Sequence, residues 1–263
     1  MKLKIAVVQQ GHRPGCLAEN RARAYEAAQK ALAQGADVIL FHEEMTMGYT
    51  PLAPRLAEAA DGETTQGFAR LLRGSESCVV YGLTERTGGK LYISAPVVTA
   101  GGLQANYRKT HLYTQGAPLR QEQRLFTPGD RLVAFSHRGV KIGLMICYDG
   151  DFPPVVEAYR RAGCTVVLWL NNRESRGNGD LVREHARRNS MILAVSCCCG
   201  PDETGRLCRG GSNITDYDGK ALAEIWDDEG IICAEVDPDA ALAAREENHW
   251  LQDRRDDLYG KPL

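Results

Sequence analysis

Two short apolar runs, DVILF at 37–41 and TVVLWL at 165–170, restrict the fold more than any other feature of this chain. Each follows a glycine that closes a stretch of helix formers, as QGADVILF and AGCTVVLWL. A strand that is apolar at every position, not only at alternate ones, is buried on both faces, as in a parallel sheet covered by helices. Ala18 to Ala33 (AENRARAYEAAQKALA) and Val155 to Ala162 read as the covering helices, stopped at Gly35 and Gly163. With Leu3 to Val8 as a first strand, the opening residues form a β-α-β unit. Further strands are expected at Cys78 to Leu83, Ile93 to Val98, Leu132 to Phe135, Lys141 to Ile146 and Met191 to Cys197, with a helix over Leu181 to Asn189. The repeated grammar implies an α/β fold of stacked layers with two related halves, in a single domain spanning residues 1–263.

Composition narrows the function. A hydrophobic fraction of 43% suits a globular chain with a substantial core, and the net charge of -2 has both signs interspersed. That pattern offers no footprint for nucleic acid or anionic lipid, so the expected partner is a small molecule. No apolar stretch approaches the roughly 20 residues needed to span a bilayer. The amino-terminal MKLKIAVVQQGHRPG reads as a strand and not a signal, because its apolar run ends at Val8 and no small-residue cleavage site follows. Nine cysteines, an odd number without a signal peptide, point to reduced thiols in the cytoplasm. The cluster SCCCG at 196–200 reads as three adjacent cysteines in a strand, pointing to alternate faces, and lacks C-x2-C spacing, so these are core or edge thiols; no metal and no cofactor is expected.

In α/β sheets ligands bind beyond the carboxyl ends of strands. Three polar groups stand there: His42-Glu43-Glu44 after DVILF, Cys147 after KIGLMI, and Asn171-Asn172-Arg173 after TVVLWL. Taken alone, Glu43 is a solvated acid and Cys147 one buried thiol among nine. Cys147 stands out because its apolar run stops there and a turn, YDGDFPP, leads to a helix whose first N–H groups favour a thiolate. Lys109 in NYRKTHLY follows a probable strand, and Glu122 lies in a polar loop before Leu125-Phe126.

Together these segments resemble the nitrilase superfamily of carbon-nitrogen hydrolases. FHEEMTMGY is similar to that family's glutamate motif, in which Gly and Tyr follow five and six residues later, here Gly48 and Tyr49; this spacing selects Glu43 over Glu44. YRKTHLY matches the lysine motif at Lys109, GLMICYDGDFP the cysteine motif at Cys147, and E-x-x-x-F before Pro128-Gly129 the second glutamate at Glu122. The likeness continues through GGSNITDYDGKALAE and the terminal DRRDDLY. It implies a four-layer α-β-β-α sandwich, a homodimer or higher homo-oligomer, and a catalytic set of Glu43, Lys109, Cys147 and Glu122.

The implied reaction is hydrolysis of a small amide or carbamoyl compound through a cysteine thioester. Glu43 would take the thiol proton, the Lys109 ammonium and the backbone N–H of Tyr148 would hold the oxyanion, and Glu122 would position its neighbours. Tyr49, Asp151, Asn171, Asn172 and Arg173 are the pocket candidates. A nitrilase, and a non-catalytic scaffold of the same fold, are the alternatives. The chain also departs from the family's usual text: His42 replaces a proline, Pro154 a glutamate, and His185 and Arg188 stand where arginine and glutamate are typical. Asp151 stands where many members have arginine, which favours a neutral or amine-bearing substrate over an anion.

Overall fold

A computed structural model describes residues 2–11, 13–116, 118–172, 178–201, 205 and 207–259. β1 (Leu3–Gln9) leads through α1 (Leu17–Ala33) to β2 (Val38–Leu40), then through α2 (Ala53–Leu56) and α3 (Glu63–Leu71) to β3 (Cys78–Val80). These three strands run parallel. β4 (Leu83–Thr87), β5 (Lys90–Thr99) and β6 (Gly102–Arg108) extend the sheet by antiparallel pairing on β5.

The second half repeats the plan. After β7 (Ala134–His137), β8 (Val140–Ile146), α4 (Pro153–Arg161), β9 (Val166–Asn171), α5 (Asn178–Asn189) and β10 (Ile192–Cys197) form a parallel β-α-β-α-β unit. β11 (Cys199–Pro201), β12 (Leu207–Thr215) and β13 (Ala221–Trp226) complete this sheet. β14 (Gly230–Val236) crosses back to pair antiparallel with β1, before α6 (Pro238–Glu247) and α7 (Asp256–Tyr259). The strand orders are β14-β1-β2-β3-β5-β4, with β6 on β5, and β11-β12-β10-β9-β8-β7, with β13 on β12.

Alternation along the strands builds the layers. Leu3, Ile5 and Val7 of β1 and Val166, Leu168 and Leu170 of β9 share one core between the sheets. Ala6 and Val8 turn the other way, onto Ala24, Ala28 and Ala31 of α1. Val167 and Trp169 meet Val155, Val156 and Tyr159 of α4 and Val182 of α5. Three cores between four layers make the expected α-β-β-α sandwich, and the paired parallel units are its two similar halves.

Three local expectations need correction. The strand expected over Cys78 to Leu83 divides at Tyr81-Gly82, where the Gly82 N–H donates to the His42 carbonyl at 3.1 Å, so close to that turn that a side chain at Gly82 would lie 2.4 Å from the Glu44 nitrogen. The strand expected at Leu132 to Phe135 is displaced to Ala134–His137, set by antiparallel pairing with β8. The triple cysteine is not one strand: β10 ends at Cys197, Cys198 lies between strands and Cys199 opens β11.

Candidate active site

Glu43 sits in a tight turn directly beyond β2. The Gly48 N–H donates to the Glu44 carbonyl at 2.7 Å, and Gly48 has φ +65°, a conformation that glycine adopts without strain. The turn folds Tyr49 back over the strand end, so that its Oη lies 3.0 Å from Glu43 Oε1 and 2.6 Å from Glu122 Oε1 and shares its one proton between them. The E-x4-G-Y spacing therefore has a mechanical basis. His42, placed where the family has proline, is fully buried with its Nδ1 2.8 Å from the Glu43 carbonyl; burial pushes its pKa down to about 4, so the ring is neutral.

Lys109 follows β6 and is anchored by its N–H to the Ile93 carbonyl at 2.8 Å. Its Nζ donates to Glu43 Oε1 and Glu122 Oε1, both at 2.7 Å, and no part of its side chain is exposed. Burial alone would push this ammonium down, but the charges of Glu122 and Glu43 outweigh it and hold it well above the ordinary lysine range. Glu122 lies in a short 3-10 turn, Glu122–Arg124, and accepts the Tyr113 N–H on Oε2 at 2.8 Å. Burial raises its pKa, with the Lys109 charge opposing and Glu43 adding to the rise. The Pro128-Gly129 signal also has a reason: Gly129 N–H donates to the Lys109 carbonyl, and a side chain there would strike the Arg108 backbone oxygen at 2.3 Å. Within this saturated cluster Glu43 Oε2 is buried and has no hydrogen-bond partner.

Cys147 leaves β8 with φ +45°, a strained value for a residue with a side chain, and begins a 3-10 turn, Cys147–Asp151. It is partly buried and packs against the inter-sheet core. Trp169 Nε1 donates to the Cys147 carbonyl at 3.0 Å, and His185 Nε2 to the Gly150 carbonyl at 2.7 Å. His185, one of the departures from the family's text, thus holds the Cys147 turn; burial lowers its pKa and keeps it neutral. Arg188 instead pairs with Glu184 at the surface of α5.

The pocket candidates take different places. Tyr49 is buried and bonded to the carboxylates, not a plain wall. Asn171 is fully buried with neither amide atom bonded, and it follows Leu170, the register partner of Ile146, so it stands beside the start of the Cys147 turn. Asn172 Oδ1 accepts from the Cys198 thiol at 2.7 Å and the Cys208 thiol at 3.3 Å, leaving Nδ2 unbonded. Asp151 is exposed at the end of its turn, and its charge reaches His185. Arg173 lies outside the described residues. Sequence reading missed Arg120, which is buried with its guanidinium 4.6 Å above the Tyr49 ring. It also passed over Asp149, which no periodic pattern marks. Among the described residues no helix is long and apolar enough to cross a membrane, and no group of three or more His, Cys, Asp or Glu is placed to hold a metal.

Two glutamates thus meet on one ammonium, and a cysteine stands on a strained strand-end turn, inside a four-layer sandwich. Residues 4–246 match the carbon-nitrogen hydrolase family, and the chain belongs to it. It is similar to an (R)-stereoselective amidase of a Pseudomonas species, 33% identical over 264 residues, covering 98% of this chain and 94% of the relative. The fold is shared with a CN-hydrolase superfamily protein of Xanthomonas campestris that carries an arsenic adduct in its active site (TM-score 0.87, 23% identity, 99% and 100% of the two chains). A glutamate-to-glutamine variant of an amidase from Nesterenkonia sp. AN1 also superposes (TM-score 0.82, 26% identity, 99% and 97%); it holds the acetamide moiety of fluoroacetamide covalently on its active-site cysteine.

Proposed function

We propose that this protein is an amidase that hydrolyses small linear amides or carbamoyl compounds through a thioester on Cys147. The observation that carries this reading is Glu43 Oε2, a buried carboxylate oxygen with no partner, whereas Glu43 Oε1 and both oxygens of Glu122 are bonded. A base needs one open lone pair, and this atom supplies it. In the reaction Glu43 takes the Cys147 thiol proton as the sulfur bonds to the amide carbon. The new oxyanion is met by the Lys109 ammonium and the Tyr148 N–H, whose place in the first turn leaves it without a helical acceptor. The carbon-nitrogen bond breaks, Glu43 returns the proton to the departing ammonia or amine, and the thioester remains. Water then gives a proton to Glu43 and adds to the thioester, and the thiol leaves with that proton.

Glu122 keeps Lys109 charged and fixed, and Tyr49 separates the two carboxylates. The unbonded amide of Asn171 and the unbonded Nδ2 of Asn172 suit hydrogen-bonding to a polar substrate, and exposed Asp151 favours a neutral or amine-bearing one. The nine cysteines, none of them in a disulfide, are in keeping with a reducing cytoplasm, and the resemblance with a homo-oligomer.

Cys147→Ala is expected to abolish release of ammonia and carboxylic acid from an amide panel while its circular dichroism stays that of the wild type. A Cys147→Ala protein that hydrolyses amides at the wild-type rate would overturn the reading. Mass spectrometry of the acylated wild-type enzyme would name the acyl group.

A further inference from the structure

A wholly buried carboxylate that the reaction above does not use lies two residues after Cys147. Asp149 Oδ2 accepts from the Ile146 N–H at 2.9 Å and the Tyr107 hydroxyl at 2.7 Å. Its Oδ1 accepts from the Thr110 N–H at 3.2 Å, the Thr110 hydroxyl at 2.9 Å, the His111 N–H at 2.9 Å and His111 Nδ1 at 3.0 Å. The placement of these donors is informative. Ile146 directly precedes Cys147 in the second sheet, whereas Tyr107, Thr110 and His111 flank Lys109 on both sides at the end of the first.

Burial would push the Asp149 pKa up, but the bonds from His111, Ile146 and Tyr107 and the Lys109 charge hold it below the ordinary aspartate range, so it is an anion surrounded by donors. Hydrogen bonds to an ionised acceptor are the short, strong kind. His111 is further fixed by stacking on Phe152, with ring centroids 4.1 Å apart, at the far end of the Cys147 turn.

We propose that Asp149 is a positioning residue that clasps the two sheets together at the site and sets the place of the Cys147 sulfur relative to the Lys109 ammonium. The proposal rests on the reading of Cys147 as nucleophile and Lys109 as oxyanion partner. The two groups come from opposite sheets, so their separation is set where the sheets are joined, and Asp149 is a junction at the site itself. An asparagine at 149 turns an amide N–H toward donors at one of its two ends, so the clasp cannot close as before.

The test uses the full-length protein with Asp149→Asn, with Cys147→Ala, and with the pair Thr110→Ala and His111→Phe. Amide hydrolysis is expressed per Cys147 labelled by a small electrophile, counted by peptide mass spectrometry. Because a displacement near 1 Å costs on the order of 10²-fold in rate, Asp149→Asn is expected to lose about that much kcat per labelled site with KM nearly unchanged. A merely structural role would reduce the number of labelled sites and leave kcat per site at the wild-type value; that result overturns the proposal. If Asp149→Asn does not fold, the Thr110 and His111 pair carries the test, since it keeps Asp149 and its bond to Ile146. A lowered kcat per site at steady KM then supports the clasp, and a wild-type kcat per site overturns it. Cys147→Ala separates the two failures: hydrolysis by that variant removes the nucleophile reading, whereas an inactive Cys147→Ala beside a fully active Asp149→Asn removes only the clasp.

Discussion

Tyr49 shows how one hydroxyl can set the electrostatics of a buried site. Its Oη reaches the same two oxygens that hold Lys109, Glu43 Oε1 and Glu122 Oε1. Two carboxylates sharing one ammonium would otherwise repel, and one of them would take up a proton. Burial, with the charges of Glu122 and Glu43, keeps the phenol well above the ordinary tyrosine range, so it remains a donor at neutral pH. Tyr49→Phe removes the one donor that the two glutamates share, and hydrogen bonds to charged groups contribute about 1.5–3 kcal/mol. Since Lys109 still caps both, the lower end applies, and kcat is expected to fall roughly tenfold with the fold intact. Steady-state kinetics on the purified variant check this; a wild-type kcat would return Tyr49 to the role of a wall. Sequence pattern placed Tyr49 at the site but not on the carboxylates, because that contact depends on the left-handed turn at Gly48 and on Glu122, 73 residues away.

At the scale of elements, each half of the site is a turn lying flat on a strand end, and each requires a glycine beneath or within it. Gly82 lies against the backbone of His42 to Glu44. In the other sheet, a side chain at Gly150 would sit 2.1 Å from the Trp169 ring, the same ring whose Nε1 holds the Cys147 carbonyl. Gly150→Ala must lift the turn or displace a fully buried indole, and overpacking of this kind costs about 1–3 kcal/mol. Lower stability in urea denaturation together with a reduced kcat is the expected outcome; unchanged stability would show that the turn has slack. These strand ends were readable in sequence because runs such as TVVLWL stop where polar residues begin, and that break marks the edge of the core. What was not readable lies in segments with no period. Glu122 was picked out only by the family resemblance and its 3-10 turn by nothing in the sequence, Asp149 looked like any loop acid, and His185 gave no sign of reaching a carbonyl 35 residues away.

At the scale of the whole molecule, the sandwich buries a third carboxyl group beside the site, and this makes its stability depend on pH. Glu44 is fully buried with φ +53°; its Oε2 accepts the Thr84 hydroxyl, and its Oε1 has no partner. Burial pushes its pKa from 4.5 up to about 8; the Thr84 hydroxyl and Lys109 oppose the rise, and Glu43 and Glu122 add to it. The folded protein therefore keeps this proton to about pH 8, whereas the unfolded chain releases it near 4.5. The stability tied to the neutral form is complete below the unfolded value and is lost as pH rises through the folded one. Glu44→Gln has no proton to lose and keeps an acceptor for Thr84. It is expected to match the wild type near about pH 4 and to exceed it at about pH 9, by an amount on the order of a few kcal/mol. Urea denaturation of both proteins across that range measures the difference directly. A difference that stays constant with pH would mean that Glu44 is ionised in the folded state, and that the core holds three negative carboxylates around Lys109 instead of two.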